Sequence, residues 1–237
     1  MPCPIAKSGL KVSVVLVAAG TGRRFGKAKQ FQSLGGQPLL YWPLRTLERT
    51  PSVVEVVLVV AADRGAWARR FVQRSRLKKV RAIVPGGRER ADSVRAGLAV
   101  VSSGMDVVLI HDAARALVSR DLVERVAIAA KRSGAALAAR PVADTVKRAV
   151  LKRGRFFVKE TVPRAGLWLA QTPQGFLRDV ALRIAPRLSS TLTDDVQAAE
   201  KMGIPVEMVV GSALNFKVTV PEDFELCRVL LGQRQKG

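Results

Sequence analysis

The sequence predicts an α/β protein, a layered and mostly parallel sheet with helices on its faces and one protruding β-hairpin. Three observations point there. Short β-branched runs recur at 12–18, 53–61, 80–84, 107–111 and 206–210; segments with apolar residues at helical spacing lie between them; and one stretch, 140–164, breaks the rhythm with two strand-type runs around a glycine turn. The 237 residues are 48% hydrophobic and 25% charged without low complexity, which excludes a disordered or fibrous chain. No repeat and no linker rich in Pro, Gly or Ser divides them, so a single domain over 1–237 is expected, with an arm at about 140–164.

The apolar run 12–18 ends in Gly20, Thr21, Gly22, Arg23 and Arg24. Such a run resembles a leader, yet a glycine loop opening onto basic residues needs a strand before it, so the run reads as a buried strand. Residues 39–49 follow as a helix, 53–61 as a second buried strand and 63–74 as a second helix. The strand at 80–84 ends in Pro85, Gly86 and Gly87 and leads into a helix at 89–101; the strand at 107–111 leads into a helix at 121–131. In the arm, runs at 144–151 and 156–162 flank Lys152, Arg153, Gly154 and Arg155. The arm holds eight Lys or Arg against two acids in 25 residues. An isolated hairpin is marginal in water, so the arm is expected to pack on a partner, most simply the same arm of a second copy. The run 206–210 is a fifth buried strand, Lys217 is expected in a short strand, and a helix with an acidic first turn at Glu222 and Asp223 runs to Leu231.

Forty Lys and Arg against nineteen Asp and Glu leave a net charge of +21, so the surface attracts anions such as nucleic acid, lipid headgroups or phosphorylated small molecules. Twelve aromatic residues, not interleaved with basic ones, and the lack of a ribonucleoprotein motif argue against specific nucleic-acid binding. No run reaches the roughly 18 apolar residues of a membrane span. Cys3 and Cys227 make neither a disulfide framework nor a thiolate metal cluster, which fits a reducing, cytoplasmic setting.

Ligands of open α/β sheets bind beyond the carboxyl ends of the strands, here 20–26, 86–93 and 111–115. The first loop is not a dinucleotide fingerprint, because Phe25 stands where glycine is required. Nor is it a Walker A loop, because Gly20 to Gly26 is one residue too long and Ala28 follows Lys27. Two readings remain: an ordinary turn with solvated cations, or a loop whose backbone N–H groups approach phosphates, flanked by Arg24 and Lys29. At 85–94, Gly86, Gly87, Asp92 and Ser93 make either a ligand-facing helix N-terminus or local caps. His111 is the only histidine, no Gly-x-Ser-x-Gly elbow accompanies it and zinc ligands are too few, so it reads as structural. A lone Asp112 beyond a buried strand suits a Mg²⁺ that already carries phosphate and water.

Taken together, Ala18-Ala19-Gly20-x-Gly22-x-Arg24, Lys29-Gln30-Phe31, Gly86-Gly87-x-x-Arg90-x-x-Ser93-Val94, His111-Asp112-Ala113-Ala114-Arg115, Thr161-Val162-x-Arg164-x-x-Leu167-Trp168, Thr172-Pro173-Gln174, Thr193-Asp194-Asp195 and Asn215-x-Lys217-Val218-Thr219 resemble the 2-C-methyl-D-erythritol 4-phosphate cytidylyltransferases. The resemblance implies a three-layer, Rossmann-like nucleotidyltransferase fold, a homodimer joined by the arm, Mg²⁺, and CMP transfer from CTP to methylerythritol phosphate in the non-mevalonate isoprenoid pathway. By the same resemblance Arg24 and Lys29 stabilise the transition state, and Arg164 and Lys217 orient the methylerythritol phosphate. Ala18, Ala19, Gly20, Gly22, Gly87 and Ser93 form the CTP pocket. Asp112, Arg115, Thr145 and Thr172 line the sugar-phosphate side, with Asp112 also near the metal and Thr145 reaching into the partner's site. Ala28 and Ala116 stand where the family carries proline, and Phe31 where it carries tyrosine. The rivals are a cytidylyltransferase for another polyol phosphate such as ribitol 5-phosphate and, from a different class, a basic nucleic-acid-binding protein. The Thr-x-x-Arg and Asn-x-Lys-Val-Thr runs favour methylerythritol phosphate.

Overall fold

The computed structural model describes residues 9–234, apart from the side chains of Arg23 and Arg234; Cys3 lies outside them. Strand β1 (Val12–Ala18) leads through a basic loop and a two-residue hairpin, β2 (Ser33–Leu34) and β3 (Gln37–Pro38), into α1 (Tyr41–Glu48). Then come β4 (Val53–Val60), α2 (Gly65–Arg74), β5 (Val80–Pro85), α3 (Arg90–Leu98), β6 (Val107–Asp112) and α4 (Arg120–Ser133). The second half comprises β7 (Ala135–Pro141), the arm strands β8 (Val146–Lys152) and β9 (Arg155–Val162), β10 (Trp168–Leu177), α5 (Arg178–Ile184), α6 (Val196–Glu200), β11 (Val206–Val210) and α7 (Pro221–Arg234).

Seven strands form one sheet in the order β11-β7-β10-β6-β1-β4-β5. All neighbours are parallel except β10, which runs antiparallel to both β6 and β7. Successive side chains of a strand point to opposite faces, and β1 shows the result. Val14 and Leu16 pack with Leu44 and Leu47 of α1, Phe71 of α2 and Val126 of α4, whereas Val15 packs with Val94 and Leu98 of α3. Helices α5 and α6 cover the second face through Ile184 and Val196. Three layers result, as expected. A third apolar cluster joins Trp42 of α1, Ala116, Leu117 and Val218 to Cys227 and Leu231 of α7.

Two strands taken as buried prove to be the sheet's edges: β5 and β11 each have a neighbour on one side and are largely part-buried or exposed. Lys217 does not lie in a strand. Residues 216–219 are extended but join no ladder; they are held by Val218 N–H, which donates to the Ala114 carbonyl at 2.9 Å, and they run straight into the α7 cap, where Asp223 accepts from Thr219 N–H at 2.7 Å. Strands β8 and β9 pair as an antiparallel hairpin, Val146 with Val162 through to Lys152 with Arg155. Its turn places Arg153 and Gly154 at φ of 48° and 72°, the left-handed region for which glycine is suited. Leu151, Phe156, Phe157 and Val158 on this arm are between 50% and 78% exposed.

Candidate active site

The carboxyl ends of β1, β5 and β6 bring three loops together. After β1, the buried Gln30 donates from Nε2 to the carbonyls of Ala18 at 2.8 Å and Gly20 at 2.7 Å, which ties the loop back over the strand it leaves. Gly22 has φ +72°, and a Cβ there would meet the Lys27 carbonyl, so only glycine lets the loop close on itself. Arg24 is exposed at its rim and Lys29 is half-buried. Burial, then the charges of Lys217 and Arg24, push the Lys29 ammonium below its ordinary pKa, so these three cations share one electrostatic neighbourhood.

Beyond β5, Gly86 sits between Ala19 and Ser93; a Cβ on it would run into the Ala19 methyl and lie 2.7 Å from Ser93 Oγ. Gly86 thus lets Ala19 and Ser93 approach each other. Asp92 is a local cap, its Oδ2 accepting from Glu89 N–H at 2.9 Å, and it packs where a Gly87 side chain would go.

Asp112 ends β6 and is 7% exposed. Arg90 Nε donates to its Oδ1 at 3.1 Å and Lys217 Nζ to its Oδ2 at 2.6 Å. Burial alone would raise this carboxyl, but Arg90 and then Lys217 hold it far below the usual carboxylate range, so it is anionic at every working pH. The two terminal nitrogens of Arg90 grip both oxygens of Asp195 at 2.8 Å each, and Gln174 Oε1 accepts from Asp195 N–H at 2.9 Å. Burial works against the Arg90 charge, yet Asp112 and Asp195 raise its pKa further still. Neither Arg90 nor Asp195 was singled out by residue chemistry; their only signal was membership of the Gly86–Val94 and Thr193–Asp195 motifs. Gln30 was missed in the same way.

Thr172 Oγ1 accepts from Asp112 N–H at 3.1 Å and lies 2.9 Å from His111 Nδ1. His111 is completely buried, and desolvation, with Arg115 and Lys217 adding to it, lowers its pKa to about 4; it is a neutral structural residue, as its isolation in the sequence suggested. Arg115 spends its guanidinium on backbone, donating to the Asn215 carbonyl at 2.7 Å. Arg164 and Thr145 stand apart. Both are exposed on the arm, Arg164 donates to the Ala143 carbonyl, and among the described residues no hydrogen bond or ion pair joins either to the Asp112 cluster.

No group of three or more His, Cys, Asp or Glu is placed to hold a metal ion among the described residues. One permanently anionic carboxylate is what a hard cation needs when most of its ligands come from a bound polyphosphate, so Asp112 fits Mg²⁺ in that restricted sense. The arrangement as a whole is cationic: Arg24, Lys29 and Lys217 converge beside a loop of small residues, a setting for polyphosphate chemistry rather than for acyl transfer or hydride transfer.

A family model described as IspD: 2-C-methyl-D-erythritol 4-phosphate cytidylyltransferase matches residues 12–233. The 2-C-methyl-D-erythritol 4-phosphate cytidylyltransferase of Alkaliphilus oremlandii (strain OhILAs) is 39% identical over 234 residues, covering 96% of this chain and 98% of that protein. The bifunctional enzyme IspD/IspF of Anaeromyxobacter dehalogenans (strain 2CP-C) is 45% identical over 226 residues, covering 94% of this chain and 58% of that longer protein. Among solved structures, 2-C-methyl-D-erythritol 4-phosphate cytidylyltransferase from Thermus thermophilus superposes with a TM-score of 0.74 at 34% identity, covering 93% of this chain and 98% of that one.

Proposed function

Since the chain belongs to the 2-C-methyl-D-erythritol 4-phosphate cytidylyltransferase family, we propose that it transfers CMP from CTP to 2-C-methyl-D-erythritol 4-phosphate, releasing pyrophosphate and forming 4-diphosphocytidyl-2-C-methyl-D-erythritol in isoprenoid biosynthesis. The observation that carries this reading is the continuity of the family match from residue 12 to 233, across every loop that contributes to the cationic cluster.

The chemistry suits that cluster. The nucleophile is an oxygen of the substrate's own phosphate, already anionic, so no side chain has to remove a proton, and a neutral, fully buried His111 is no loss. A P–O bond forms to the α-phosphorus of CTP while the bond to the β-phosphate oxygen breaks, and its electron pair leaves with pyrophosphate. What the protein supplies is positioning and positive charge. Arg24 and Lys29 stabilise the charge that builds on the α-phosphate, and Lys217 orients the incoming phosphate. Ala18, Ala19, Gly20, Gly22, Gly87 and Ser93 receive the nucleotide, with backbone N–H groups approaching because no side chain intervenes. Asp112 would hold Mg²⁺, which when bound neutralises phosphate charge. Arg164 and Thr145 lie on the arm, away from the Asp112 cluster of their own chain, which supports a homodimer in which each arm completes the partner's site. Among the described residues no helix is long and apolar enough to cross a membrane, and a cytoplasmic setting fits the substrates.

The test is pyrophosphate release from CTP and Mg²⁺, with methylerythritol phosphate and, in parallel, ribitol 5-phosphate. A kcat/KM at least about tenfold higher for the first is expected; a preference for the second would keep the CTP half of the reading and discard its acceptor.

A further inference from the structure

A cavity of about 470 Å³ opens between α1, the segment 116–120 and α7, and shares no lining residue with the Asp112 cluster. Its apolar wall is Trp42 and Leu231, both buried, with the indole N–H of Trp42 fixed on the Leu34 carbonyl at 3.0 Å. Its rim carries three arginines: Arg45 on α1, Arg49 four residues on at that helix's C-cap, and Arg120, which opens α4.

The acids nearest in sequence are all engaged elsewhere. Glu48 accepts from Lys79 N–H at 2.9 Å, Asp121 pairs with Arg125 at 2.8 Å and Glu124 accepts from Ser52 N–H at 3.2 Å. Among the described residues Arg45, Arg49 and Arg120 have no ion pair, in contrast to Arg90, Arg95, Arg125 and Arg132. Like charges around a concave, partly apolar surface focus a positive potential, and the planar guanidinium fork matches the oxygens of a phosphate. The volume lies in the range of pockets that take small organic ligands, more than a bare phosphate fills.

We propose that this cavity binds an organic phosphate or diphosphate, its anionic group held by Arg45, Arg49 and Arg120 and its carbon portion against Trp42 and Leu231. The site stands independently of the reaction proposed above. It is nonetheless next to it in the chain, since Ala116 in the cavity wall follows directly on Arg115.

Inorganic pyrophosphate serves as the probe for the anionic half. Isothermal titration at physiological ionic strength is carried out on the full chain carrying Lys29→Met and Lys217→Met, which weakens binding at the Asp112 cluster. Into that background are placed either Arg49→Gln with Arg120→Gln, or a control pair of exposed arginines on α2 outside the cavity, Arg69→Gln with Arg70→Gln. All four positions are exposed, and melting curves confirm that each protein is folded. Saturable binding that weakens at least about tenfold in the cavity pair and less than about twofold in the control pair is the expected result. Equal losses from both pairs would assign the binding to net charge alone, and absence of saturable binding in the background protein would remove the site; either overturns the proposal.

Discussion

Lys217 Nζ lies 2.6 Å from Oδ2 of Asp112, across 105 residues of chain, while Arg90 takes the other oxygen of the same carboxylate at 3.1 Å. One buried anion therefore sets the position of two cations. Asp112→Asn leaves Arg90 and Lys217 facing each other without it, and kcat/KM for cytidylyl transfer should fall about 100-fold or more. Pyrophosphate release measures this, and a loss of less than about threefold would take Asp112 out of the reacting centre.

Arg90 has a second, purely structural duty, since its other two nitrogens satisfy Asp195, whose side chain is 2% exposed. Breaking a buried pair by removing one partner costs roughly 3 kcal/mol because the remaining charge is stranded. Arg90→Met should thus lower the melting temperature by roughly 6–12 °C in a chain of this size. Arg90→Lys should recover less than half of that, because one ammonium does not reproduce a fork that serves two carboxylates.

His111 imposes a pH dependence on stability. Its folded-state pKa of about 4 lies below the unfolded value of about 6.5, so between those values the unfolded chain binds the extra proton. Stability is then fully present above about pH 6.5 and declines as pH falls toward 4, by roughly 3 kcal/mol at most. Urea unfolding from pH 7 to 4 should show this slope in the wild type and a flatter curve in His111→Gln. Identical slopes would mean that another group titrates in that window.

Lys29 is pressed by burial and by Lys217 and Arg24, so it is held in place against electrostatic cost. Lys29→Ala should reduce kcat by about 100- to 1000-fold, with a melting temperature unchanged or slightly raised by relief of like charge. Unchanged turnover would show that its ammonium does not face the reacting phosphate.

Leu151, Phe156 and Val158 on one face of the arm, and Phe157 on the other, are apolar side chains that the rest of this chain leaves exposed. On the proposed homodimer, Phe156→Glu with Phe157→Glu should convert the sedimenting species from dimer to monomer and lower activity with it, because under that proposal Arg164 and Thr145 would no longer reach a second site. A variant that sediments as the wild type does would locate self-association elsewhere.

The repeating strands and helices up to residue 133 were legible in the sequence because both kinds of element carry strong local signals there: β-branched runs for β1, β4, β5 and β6, and apolar periodicity for α1 to α4. β7 and β10 were not. β7 reads Ala-Ala-Leu-Ala-Ala-Arg-Pro, a composition that favours helix, and it is a strand because β10 and β11 flank it. β10 carries Gln171, Thr172 and Gln174 in its middle, polar residues that are buried because each side chain has a partner, at Ser212, His111 and Asp195 respectively. Arg24, Lys29, Asp112 and Lys217 were legible individually and Arg90 and Asp195 only as members of motifs, but which of them meet was not. That Asp112 lies between Arg90 and Lys217 follows from strand order, which no local pattern encodes.

The antiparallel β10 sits between β6 and β7 although it follows both in the chain. As the polypeptide leaves the ribosome, β6 and β7 are each complete while the space between them is empty, and each presents an open row of backbone donors and acceptors until β10 arrives. The hairpin arm is inserted at that point of the sequence, between β7 and β10, so its length sets how long the nascent sheet stays open. A fragment ending within the arm keeps that gap permanently, and its fate is to be captured by another unfinished chain or by the machinery that removes such chains.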